Sequence, residues 1–61
     1  MTRADIERVL HHPETIKDAE KPRKGWEFLV VDSKNYNVEM AIYKDKSGNL
    51  YRVDIDSEWG F

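Results

Sequence analysis

The chain has no cysteine, two prolines, three glycines and two histidines, and no apolar run longer than four residues, as in "FLVV" at 28–31. Without cysteine there is no disulfide and no thiolate metal site, which suits a reducing compartment, so a cytoplasmic location is expected. Four apolar residues fall far short of the roughly 20 that a membrane span needs, so no membrane association is expected. The first ten residues, "MTRADIERVL", carry charge throughout, and no signal peptide is expected there. The histidines are neighbours, His11 and His12, and adjacent helical residues point about 100° apart, which makes them a poor chelating pair. No serine–histidine–acid set and no glycine-rich phosphate loop can be assembled. No catalytic residue, metal or cofactor is therefore expected.

What the chain has is charge and alternation. Its 61 residues are 36% charged and 39% hydrophobic, enough apolar material for one thin two-layer domain spanning 1–61. A chain this short buries only about 60% of its unfolded surface and is marginally stable without a staple. Residues 1–26 hold six Lys/Arg and five Asp/Glu, a balance of +1, whereas 27–61 hold four and seven, a balance of −3. The second half is the reverse of a phosphate-binding surface.

Thr2 followed by Asp5 has the form of a capping box, and Ile6, Val9 and Leu10 then make a helical stripe. Pro13 is expected to end this helix near His11 or His12 and to open a second short turn containing Ile16 and Ala19. "KPRKG" at 21–25 reads as a loop. With Trp26 it forms a short basic–aromatic cluster, read as solvated surface, with RNA contact as the alternative. From Trp26 onward the apolar period becomes two, in three runs around 26–31, 36–43 and 50–56. The expected fold is α+β: an N-terminal helix packed on a three-stranded antiparallel β-meander.

A Ser33-Lys34-Asn35 loop with Asn35 left-handed, then a four-residue "DKSG" turn with Gly48 at positive φ, bring Phe28, Val30, Val38, Met40, Ile42, Val53 and Ile55 onto the core face. The outer face then carries Leu29, Val31, Ala41, Leu50 and Arg52, with Glu39 opposite Asp54. Asp56 and Glu58 extend this into an acidic patch, at roughly 6.5–7 Å per second residue of an extended strand. Trp59 and Phe61 either fold back as a lid on the core or stand beside the acids as interface anchors.

Two resemblances follow. "DIERVLHHPETI" and the strands after it resemble the helix-to-sheet stretch of toxin-like domains related to the RelE and DUF4258 families, which would imply a ribonuclease core and draw attention to His11, His12 and Arg52. In size, acidity, lack of cysteine and minimal helix-on-sheet plan, the chain also resembles phage anti-CRISPR proteins. That resemblance implies an inhibitor whose acidic surface imitates DNA. The expectation carried forward is a monomeric, non-enzymatic binding protein with partner-binding residues Glu39, Asp54, Asp56, Glu58, Trp59 and Phe61. Its partner would be a protein with a basic, nucleic-acid-binding groove, such as a CRISPR effector complex in the host cytoplasm, and it would make no direct contact with nucleic acid.

Overall fold

A computed structural model describes residues 2–55. It contains one α-helix, α1 (Arg3–His11), a 3₁₀ turn (Pro13–Thr15) and four strands, β1 (Lys17–Ala19), β2 (Glu27–Asp32), β3 (Met40–Lys44) and β4 (Leu50–Asp54). The fold is α+β as expected, but the sheet is mixed and four-stranded, in the order β1-β4-β3-β2.

The local signals act as read. The Thr2 hydroxyl accepts from the Asp5 backbone N–H while the Asp5 carboxylate accepts from that of Thr2, which satisfies two helix-end donors at once. The helix stops at His11, and Pro13 supplies the first residue of the 3₁₀ turn. Ile16 is then buried against Val9, Ile42 and Leu50, so it does join the core.

The strand registers differ from expectation, and the loops explain why. Between β3 and β4, Met40 pairs with Asp54, Ala41 with Val53, Ile42 with Arg52 and Lys44 with Leu50, one residue away from the expected alignment. The turn holds five residues, 45–49, instead of four. The Asp45 carboxylate organises it by accepting from the backbone N–H of Ser47 and Asn49, both at 2.9 Å, and from the Asn49 amide at 3.1 Å. Gly48 takes φ +91° as expected. One added residue changes the parity and exchanges the two faces of β4 relative to β3. Leu50 thereby moves from the expected outer face to full burial against the helix, while Val53 is buried on the other face.

Between β2 and β3 the shift is larger. Phe28 pairs with Tyr43 and Val30 with Ile42, with an irregularity between them at Leu29. The bulge turns the consecutive residues Leu29 and Val30 toward the same helix-side core. The connection spans 33–39, not three residues. Among the described residues no non-glycine has positive φ, so Asn35 is not left-handed. Asn35 instead donates through its side-chain amide to the Val9 carbonyl and to the Asp32 carboxylate, both at 3.1 Å, and so ties the loop to the helix.

Sequence periodicity missed β1. Lys17, Asp18 and Ala19 pair in parallel with Tyr51, Arg52 and Val53. The Arg52 guanidinium holds this edge: it donates to the Asp18 carboxylate, to the Pro13 carbonyl at 2.9 Å and to the Tyr36 hydroxyl at 2.9 Å. The core is consequently split between two faces. Val9, Ile16, Ile42 and Leu50, with Leu29 and Val30, fill the helix side. Ala41 and Val53 lie buried on the opposite side, which also carries Phe28, Tyr43 and Tyr51. Of the expected core, Phe28 and Val38 are instead exposed, and Met40, Val30 and Ile55 are half-buried.

Candidate functional site

The expected acidic patch is not gathered as drawn. Glu39 precedes β3 and is exposed, and its carbonyl accepts from the Ile55 N–H at 3.4 Å. It is therefore level with Ile55, one step out of phase with Asp54, and the two carboxylates point to opposite faces. Asp54 is half-buried opposite Met40 on the helix side, and it engages a partner. Asp56, Glu58, Trp59 and Phe61 lie outside the described residues. The residues of the ribonuclease alternative are not brought together either. Arg52 is committed to β1 and the 3₁₀ turn, and His11 and His12 are exposed, with His12 Nδ1 3.6 Å from Glu14.

Two other surfaces emerge. The first lies between α1 and the edge strand β2. Val9 is the buried centre of the helix stripe, whereas Ile6 and Leu10, one turn apart on its flank, are each 42% exposed, as is Val31 at 43%. Together with Val30 and Asp32 these residues line an almost wholly apolar groove of about 260 Å³. The Asp5–Lys44 ion pair, at 3.0 Å and largely buried, fixes the helix over the sheet. Burial pushes the Asp5 carboxyl up, but the hydrogen bonds from Lys44 and Thr2 outweigh it, and the net shift is downward.

The second surface is on the opposite face. The sequence "RKGW" makes a tight turn in which the Trp26 N–H donates to the Arg23 carbonyl at 3.2 Å, with Gly25 at φ +91°. A side chain at Gly25 would be strained, so glycine is needed here. The turn brings Trp26 onto Tyr51, ring centroids 4.0 Å apart and planes 10° apart, with Tyr43 tilted alongside at 6.3 Å. Tyr51 is itself anchored, since its hydroxyl donates to Asp45 at 2.8 Å. Between this stack and β1 lies an open cleft of about 530 Å³, lined by Lys17, Lys21 and Arg23 as well as Asp18, Glu20 and Ala19. Lys24 and Lys46 line a smaller cleft on the other side of Trp26. The "KPRKG" run next to Trp26 is the part of this surface visible in the sequence; Lys17 and Tyr51 join it only through the sheet.

No protein-family model, curated protein or solved structure matches the chain.

Proposed function

We propose that the chain is a non-enzymatic protein-binding module that receives an extended segment of a partner in the groove between α1 and β2. The observation that carries the reading is the half-exposed apolar flank of α1, Ile6 and Leu10, facing Val30 across one groove beside an edge strand; Val31 borders the groove, but its pairing with Ala41 turns its side chain to the other face of the sheet. Convergent apolar exposure of this kind marks interaction surfaces, and an edge strand offers backbone hydrogen bonds to an added strand.

A second copy is a poor occupant. Antiparallel pairing of β2 with itself would set Glu27 against Asp32 twice, and in-register parallel pairing would set Glu27 against Glu27. Like charges directly opposite destabilise a strand pair, and the bulge at Leu29 interrupts the edge further. The fitting partner is a heterologous strand with alternating apolar residues toward Ile6 and Leu10 and a Lys or Arg near Glu27. An inhibitor that presents acids to a basic nucleic-acid groove stands second. Its support is the −3 balance of residues 27–61 and the exposure of Glu39, and it loses the Glu39–Asp54 pair.

The test is selection from a displayed random-peptide library, followed by amide-shift mapping of the selected peptides. Selected peptides should alternate apolar residues with flanking cations, shift residues 28–31 together with Ile6 and Leu10, and lose binding to a folded Leu10→Glu protein. Peptides that instead shift the surroundings of Glu39 and Asp54, and depend on those two carboxylates, would transfer the function to the acidic surface.

A further inference from the structure

We infer that the cleft beside Trp26 is a binding site for a phosphate-bearing ligand with a stackable base, that is, a nucleotide unit either free or within single-stranded nucleic acid. Three independent features converge on it.

The first is a preorganised aromatic platform. Trp26 rests flat on Tyr51 at 4.0 Å, and Tyr51 is held through its hydroxyl by Asp45, whose carboxylate is in turn fixed by Ser47 and Asn49. The indole borders both clefts and so meets a ligand with its orientation already set. Every base has a π-face, so stacking on such a platform tolerates any sequence.

The second is the placement of charge. Five of the chain's ten Lys/Arg residues, Lys17, Lys21, Arg23, Lys24 and Lys46, line the two clefts that flank Trp26. Among the described residues three carboxylates share these clefts, Asp18, Glu20 and Asp45, giving a local balance of +2, whereas the other five cations and the seven other described acids give −2. Two of the three local carboxylates are already engaged, Asp18 by the Arg52 guanidinium and Asp45 by Asn49 and Tyr51. The described part of the chain is thus polarised, with its excess cations gathered around one indole.

The third is size and openness. A cleft of about 530 Å³ falls within the range of small-ligand sites, and it is open enough for a strand to run through. Phosphates would meet Lys17, Lys21 and Arg23 while a base stacks on Trp26. Arg23 and Trp26 are placed together by their own turn, and Lys17 comes from β1, so the site exists only in the folded sheet.

This site is on the face opposite the α1/β2 groove, so the two proposals fail independently. The experiment is a titration of the folded 61-residue protein against fluorescein-labelled oligothymidylates of roughly five and ten nucleotides, against uridine monophosphate, and against heparin as a polyanion without bases. Oligonucleotide binding at low salt is expected. Trp26→Ala should weaken it roughly 5- to 150-fold, the range that loss of one stacked base gives. Lys21→Ala and Arg23→Ala should each flatten the slope of log affinity against log salt by about 0.7. Should Trp26→Ala fail to fold, Trp26→Phe, which keeps a smaller ring, together with the two surface charge variants carries the same comparison. Binding of the monophosphate equal to that of one oligonucleotide unit identifies a nucleotide site; oligonucleotide binding that grows with length identifies a strand site. Either result supports the inference. It is overturned by absence of binding to both nucleotide probes, or by heparin binding as well as oligothymidylate with no dependence on Trp26.

Discussion

Leu50 is the position at which the observed register and the alternating pattern of the sequence make opposite demands. In the alternation it faces water beside Arg52. In the structure it is 0% exposed and packs with Val9, Ile16 and Ile42 under the helix. Leu50→Ala removes three carbon-bearing groups; at about 0.8 kcal/mol per buried methylene the transfer loss alone is about 2.4 kcal/mol. The residual cavity raises this, since α1 is pinned by the Asp5–Lys44 pair and by the Asn35–Val9 bond and cannot collapse freely into the gap. About 3–5 kcal/mol is expected. A core of this size rarely supplies more than about 3–5 kcal/mol in all, so Leu50→Ala should be largely unfolded at 25 °C. Leu50→Val, losing one methylene and about 1 kcal/mol, should fold and melt at a lower temperature. Phe28→Ala serves as the counterpart: Phe28 is 52% exposed with an edge-on contact to Tyr43, and its loss should cost about 1 kcal/mol or less. Urea unfolding followed by circular dichroism measures all three. If Leu50→Ala stays within 1 kcal/mol of wild type while Phe28→Ala unfolds, the sheet is inverted and the register argument falls.

Two further outcomes follow from the polar network, beside the two binding tests above. Hydrogen bonds from the Asn49 amide, with those from Tyr51 and the Asn49 and Ser47 backbone, lower the Asp45 pKa from 3.8 to about 2. Because the folded value lies below the unfolded one, this stabilisation is complete above about pH 4 and lost as pH falls toward 2; Asp18, lowered by its bond from Arg52, and Asp5 act in the same direction. Melting temperature should therefore drop across this window, and Asp45→Ala should be less stable at neutral pH with a shallower acid drop; an identical acid profile in that variant would refute the role. Arg52→Ala should cost about 2–3 kcal/mol and expose the amides of 17–19 to hydrogen exchange first, with Arg52→Lys falling between, because an ammonium cannot reach Asp18, Pro13 and Tyr36 in one fork. Unchanged protection of 17–19 in Arg52→Ala would show that β1 is held by its backbone pairing alone.

The sequence by itself determined what depends on neighbours in the chain. The capping box of Thr2 and Asp5, the stop before Pro13, the glycine at positive φ in the second turn and the α+β class all arise from interactions spanning a few residues. Alternation also located three of the four strands. It did not set their register, because register depends on the parity of loops and bulges, and side-chain bonds decide that parity. Asp45 adds a residue to one turn, Asp32 and Asn35 fasten a long loop to Val9, and Leu29 sits in a bulge that puts two consecutive residues on one face. Those three events move Leu50 inward, Phe28 outward, and Glu39 away from Asp54, dispersing part of the acidic patch that the alternation had drawn. Tertiary structure alone decided β1, whose three residues carry no apolar period and whose order comes from a strand more than thirty residues later through Arg52. It likewise decided the cleft at Trp26: the chain displays "KPRKGW" as a local cluster, but Tyr51 beneath the indole and Lys17 across from it arrive only when β4 and β1 pair.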